Sequence, residues 1–166
     1  LPKGSKMELI VQKGTELGAH HFRLIEMDRS VAKWNDKSGK KKLVRYEKIM
    51  KEASEQCHRN LIPTISAAET MKEILAERGN YDLVLFAYEA EAKQDDFHSF
   101  NQALNKLREN DKVLIFIGPE GGFSEQEVSL LLEHDCQPVR LGKRILRTET
   151  ASLYALASIS YHFEEV

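Results

Sequence analysis

The chain has 166 residues, 42% of them hydrophobic and 30% charged, with a formal net charge of −2. This is the make-up of one ordinary globular domain, long enough to bury a core without staples, and its near-neutral charge gives no global sign of nucleic-acid binding. Two cysteines, Cys57 and Cys136, are too few for a disulfide scaffold and point to a reduced, cytoplasmic setting; no apolar run approaches the roughly 20 residues that span a bilayer, and no signal peptide is visible.

Met7, Ile10, Val11 and Leu17 share one face at helical spacing, and Gly18 is a natural stop. HFRLIEM reads as a strand. The polar stretch NDKSGKKK reads as a flexible linker. KKLVRYEKIMKEASEQCHRN puts Leu43, Tyr46, Met50, Ala53 and Cys57 on one helical stripe. LIPTI is a short strand whose proline disfavours a central position. Ser66 and Glu69 have capping-box spacing and predict a helix that ends near Gly79. DLVLFAY is a buried strand. Phe97, Phe100, Leu104 and Leu107 mark a helix, and KVLIFI is a second fully buried strand. Ser124 and Glu127 repeat the capping-box spacing and start a helix at about Glu125. QPVRL is a last short strand, GKRILRTE a loop, and TASLYALASISYHF a closing helix.

Strands thus alternate with helices, which argues for an α/β fold: a mainly parallel sheet with helices on both faces. In such sheets ligands sit at the carboxyl ends of the strands. That rule gathers Tyr88, the Gly118–Gly122 loop and the Gly142–Glu149 loop on one rim.

Two loops carry the unusual chemistry. IGPEGGFSEQEV holds three glycines and a proline between a strand and a helix. It is neither a P-loop, lacking the GK[ST] ending, nor GxGxxG, having the wrong spacing. The pattern serves a strand-to-helix turn. It also bares N–H and C=O groups to a flat ligand such as adenine. Ser124 caps the next helix. In LGKRILRTETA, Ile145 and Leu146 are large apolar residues inside a polar loop; they either plug the core or wall an apolar pocket. Thr148 reads as an N-cap with Glu149 set against the helix dipole. Arg147 beside a helix N-terminus calls for a nearby anion: a phosphate, a ligand carboxylate or Glu120.

In that order, IGPEGGFSEQEV and LGKRILRTETA, with KMELIVQKGTELG and SEQCHRN upstream, resemble the RsmE family over essentially the whole chain. These are SPOUT-superfamily ribosomal RNA methyltransferases that make N3-methyluridine in small-subunit RNA. The resemblance implies a single catalytic domain over residues 1–166 with a C-terminal trefoil knot, an exception to the rule against threaded connections. It implies a homodimer with the active site near the interface, and S-adenosylmethionine as methyl donor. The family's N-terminal PUA-like RNA-binding domain has no counterpart in this sequence. Carried over by position, the cofactor pocket uses Leu85, Phe86 and Ala87, then Gly118, Pro119, Glu120 and Gly121, then Leu141, Gly142, Ile145 and Leu146.

Uridine N3 carries a proton that must leave, or a developing negative charge that must be stabilised, as N3 attacks the methyl. Arg147 is the candidate for stabilising that charge or fixing a phosphate. Glu149 and Glu120 are candidate bases; either can instead hold Arg147 or the cofactor's amino group. Lys143 and Arg144 adjoin the site as candidate RNA contacts, with the Lys40–Lys42 triplet a weaker one. Arg59 faces either RNA, a partner subunit or a helix C-terminus. His20, His21, Cys57, His58, His134 and Cys136 lack metal-ligand spacing, and no metal is needed. The competing readings are a SPOUT 2′-O-ribose methyltransferase, whose last motif typically differs from ILRTET, and an inactive RNA-binding assembly factor.

Overall fold

The computed structural model describes residues 5–31, 33–88 and 100–165. In chain order the elements are α1 (Lys6–Glu16), β1 (His21–Ile25), α2 (Asp36–Gln56), β2 (Thr64–Glu69), α3 (Met71–Ala76), a 3-10 turn (Arg78–Asn80), β3 (Leu83–Ala87), α4 (Phe100–Leu104), β4 (Val113–Ile117), α5 (Glu125–Glu133), β5 (Gln137–Val139) and α6 (Thr148–Glu164). Among the described residues every strand pair is parallel, as helical crossovers require. The strands form two ladders, β1–β2 and β4–β3–β5, where one sheet was expected. Alternation of strands with helices dictates their direction, not which strands become neighbours.

The core follows from the pleat of β3. Val84 and Phe86 point into a cluster with Ile74, Leu75, Phe116, Phe123 and Leu131. Leu85 points the other way, to Leu104, Val139, Leu141, Ala151 and Ala155. Helices α3 and α5 therefore cover one face, α4 and α6 the other. A third cluster joins α1, β1 and α2 through Met7, Ile10, Val11, Phe22, Leu24, Tyr46 and Met50. The two ladders are tied by Arg23 of β1, whose Nη1 donates to Glu77 at 2.6 Å and to the Tyr81 hydroxyl at 3.3 Å, just before β3. Burial pushes the Glu69 carboxyl up, but its bonds from Arg23 and Ser66 outweigh that and hold it below the usual carboxylate range.

Several expectations are corrected. The NDKSGKKK stretch is helical from Asp36, because the Asn35 side chain accepts the Ser38 N–H at 3.2 Å and starts α2 there. Ser66 and Glu69 do not cap a helix: pairing with β1 draws both into β2. The same spacing recurs as Thr70 and Glu73, which form the capping box of α3, and that helix ends at Ala76 rather than near Gly79. Strand β4 is a sheet edge, so only Phe116 of its residues is fully buried. Cys57 lies just past α2 and is half-buried, while Cys136 is buried; both are free. Of the residues that predicted α4, Phe97 lies outside the described residues.

Arg59 turns inward. It donates from Nη1 to the carbonyls of Thr15 at 2.6 Å and Ala19 at 2.8 Å, and from Nη2 to Gly18 at 3.5 Å. It therefore caps the C-terminus of α1, where the helix dipole welcomes a cation, the third of the roles weighed for it in the sequence. Arg59→Ala should lower unfolding stability by about 1.5–3 kcal/mol, the range for bonds from a charged donor. Urea denaturation reads this directly; an unchanged midpoint would remove the capping role.

Candidate functional site

A cavity of about 660 Å³ opens at the carboxyl ends of β3 and β4, within the size range of about 300–1,000 Å³ usual for ligand pockets. Its walls are Ala87 at the end of β3 and Tyr88 just after it, the loop from Gly118 to Phe123 after β4, and Leu141 with Ile145 to Thr148 after β5. The two loops singled out in the sequence thus share one rim. Lys6 and Arg29 complete the lining from the N-terminal half of the chain.

The glycine loop is shaped by protein neighbours. Gly122 has φ +69° and closes a turn by donating its N–H to Pro119 O at 2.9 Å. A Cβ on Gly121 would lie 2.9 Å from Arg29 Cβ and 3.3 Å from Arg29 O. The Arg29 side chain also bonds the Gly121 carbonyl at 3.1 Å. Glycine at 121 is therefore required by the β1–α2 segment that crosses it, a different reason from the bare backbone inferred in the sequence. Beyond the turn, Ser124 and Glu127 form the expected capping box of α5. Each has a second bond to the same crossing segment: Ser124 Oγ to Asp28 Oδ2 at 2.6 Å, and Asp28 N to Glu127 Oε1 at 2.8 Å. Glu127 is 8% exposed, so that bond is sheltered. Asp28 and Arg29 were missed because nothing periodic marks a short polar turn as the roof of a distant loop.

The second loop divides its residues. Leu146 packs toward Leu85 and Ala151, whereas Ile145 is 88% exposed at the rim. Gly142, with φ +79°, lies outside the lining, as do the exposed Lys143 and Arg144. Leu85 and Phe86 are fully buried on opposite faces of β3 and also lie behind the cavity, with Ala87 alone of the three reaching it. Thr148 is not the N-cap of α6. Arg147 takes that position without a side-chain cap bond, and Thr148 Oγ1 donates instead to Gly118 O at 3.2 Å, joining the two loops. Arg147 is exposed and lines the cavity.

The acids face a cation the sequence reading passed over. Lys6 Nζ stands 3.1 Å from Glu120 Oε1 and 3.3 Å from Glu149 Oε2. The Glu120 bond, opposed by some desolvation and helped by Glu149, raises the Lys6 ammonium above its ordinary range and keeps it charged. It is Lys6, not Arg147, that stands against both carboxylates. The signal available in the sequence was a lysine in the first turn of a helix, against the dipole. Among the described residues, no group of three or more His, Cys, Asp or Glu is placed to hold a metal ion, and no helix is long and apolar enough to cross a membrane.

Residues 1–160 match the RNA methyltransferase domain family. The ribosomal RNA small subunit methyltransferase E of Bacillus subtilis (strain 168) is 47% identical over 164 residues, 99% of this chain and 64% of that protein. A protein of Legionella pneumophila, solved with the cofactor SAM bound, superposes with a TM-score of 0.84 at 31% identity, over 96% of this chain and 62% of its own. The ribosomal RNA small subunit methyltransferase E of Neisseria gonorrhoeae, solved bound to S-adenosyl methionine, superposes with a TM-score of 0.77 at 29% identity, over 96% of this chain and 62% of its own. The chain therefore spans somewhat under two thirds of the length of these relatives. With an α/β architecture of parallel strands, it belongs to the RNA methyltransferase domain family and, within it, to the RsmE family.

Proposed function

We propose that this domain is the catalytic part of an S-adenosylmethionine-dependent methyltransferase acting on N3 of a uridine in small-subunit ribosomal RNA. The observation that carries the reading is the convergence of the strand β3 end and both diagnostic loops on one cavity. The likeness to relatives of that name, and to structures solved with the methyl donor, supports it.

The cavity's chemistry suits the donor. Apolar walls from Ala87, Pro119, Leu141, Ile145 and Leu146 stand beside the glycines of the Gly118–Gly122 loop, against which a flat purine can lie. Glu120 and Glu149 already converge on one ammonium, so acceptors for a cationic ligand are in place. When bound, S-adenosylmethionine supplies an electrophilic methyl on sulfur. Leu85 and Phe86 support that pocket from behind, and Gly142 shapes the approach of its loop.

Arg147, exposed on the cavity rim, is the cation available to negative charge on the uracil ring or to the target's phosphate. Glu120 and Glu149 take the N3 proton or hold the donor's positive end. Lys143 and Arg144 stand next to the rim as phosphate contacts. We further take the segment after β5, which passes back across the end of β3 to reach Gly118, to be the threaded part of a trefoil knot. The exposed Tyr154, Tyr161 and Phe163 of α6 suit a homodimer interface, and the RNA substrate suits a cytoplasmic protein.

The test is methyl transfer to small ribosomal subunits that lack the mark, followed by nucleoside analysis. N3-methyluridine is the expected product. A 2′-O-methylated nucleoside would instead favour the ribose-modifying alternative.

A further inference from the structure

The two walls of the cavity belong to segments distant in sequence. Glu120, on the cavity lining, sits in the glycine loop after β4, whereas Glu149, in the first turn of α6, lies outside the lining. Lys6 reaches both from a third element, at 3.1 Å and 3.3 Å. It opens α1, where a positive charge opposes the helix dipole, so the fold of α1 gains nothing from a lysine there. The side chain lines the cavity and is about one-third exposed.

We propose that Lys6 is a positioning residue for the methyl-donor cavity: its ammonium ties Glu120 to Glu149 and thereby fixes the separation of the two loops. This rests on the cofactor reading above. Two carboxylates drawn to one point repel each other. With Lys6 between them the repulsion becomes attraction, and each loop is held where a ligand finds it. With an apolar side chain at position 6 the loops part or re-pair, and a ligand must then re-form the cavity at the expense of its affinity. The contact is partly exposed, so its loss alters the site far more than the stability of the fold.

The experiment is calorimetry of S-adenosylhomocysteine binding to the parent chain, Lys6→Met, Lys6→Arg, Glu120→Gln and the Lys6→Met/Glu120→Gln pair, with thermal unfolding of each. Lys6→Met should weaken binding about tenfold, a change of roughly 1.4 kcal/mol, while its unfolding midpoint stays near that of the parent. Lys6→Arg should recover most of the affinity. In the Glu120→Gln background, Lys6→Met should cost clearly less than in the parent, because one of the anions it holds is gone. Equal affinity of Lys6→Met and parent would overturn the proposal. So would an Arg variant as weak as the Met variant, or an identical loss in both backgrounds. Absence of binding by the parent would remove the donor reading itself, an outcome distinct from these.

Discussion

Arg147→Ala should lower the rate of methyl transfer by about 10²–10³-fold, the usual loss when one preorganised electrostatic partner of a reacting group is removed. Its affinity for S-adenosylhomocysteine should stay close to that of the parent. The separation of the two effects follows from position. Arg147 is exposed at the rim of the cavity, at the N-cap of α6, and its side chain makes no cap bond. The helix start does not depend on the guanidinium: the backbone carbonyl of Arg147 accepts the Ala151 N–H at 2.7 Å whatever the side chain is. Stability should therefore change by no more than about 0.5 kcal/mol. Single-turnover transfer to unmodified small subunits measures the rate, and calorimetry the affinity. Undiminished transfer would take Arg147 out of the chemistry. A parallel collapse of cofactor affinity would reassign it to donor binding.

Phe86→Ala should be the most destabilising single change near the site, at about 3–5 kcal/mol. Phe86 is fully buried on β3, the central strand of its ladder. Its ring meets Phe123 edge-on at 5.7 Å and lies 5.8 Å from Tyr88, and Phe123 and Tyr88 stand 6.3 Å apart. Phe123 in turn packs against the open side of Gly118, where a Cβ would come within 3.1 Å of its ring. The three rings form the floor on which the glycine loop rests. Removing the middle one deletes core contacts and loosens the loop, so affinity for S-adenosylhomocysteine should fall with stability even where the variant remains folded. Urea unfolding and calorimetry below the transition measure the two. A folded Phe86→Ala with parental affinity would show that the loop holds its shape without that floor.

Much of the fold could be read because its signals are local. The stripe of Met7, Ile10 and Val11, the apolar run of β3 and the Ser124–Glu127 capping box each lie within a few residues, and each marks its element. The same local spacing misled at Ser66 and Glu69, where pairing with β1 outweighed the cap. It also misled at Asp36, where a polar helix start looked like a linker. For the site, the rule that parallel strands present ligands at their carboxyl ends was enough to bring Tyr88 and both loops together. What stayed hidden is what arrives from far along the chain. Lys6, Asp28 and Arg29 meet residues roughly a hundred positions away, and no spacing encodes such contacts. Arg59 shows the converse: a cation in a stretch that resembles the family turns out to bond three carbonyls of a neighbouring helix end.

The claim on which the site, its charge pattern and its proposed chemistry all depend is that the cavity between the two loops holds the methyl donor. Calorimetric titration of the chain with S-adenosylhomocysteine tests it most directly. One ligand per chain, with binding abolished by a bulky side chain at Ala87 on the cavity wall, is the predicted result. A folded chain that takes up no ligand, or one whose affinity is indifferent to filling that wall, would contradict it.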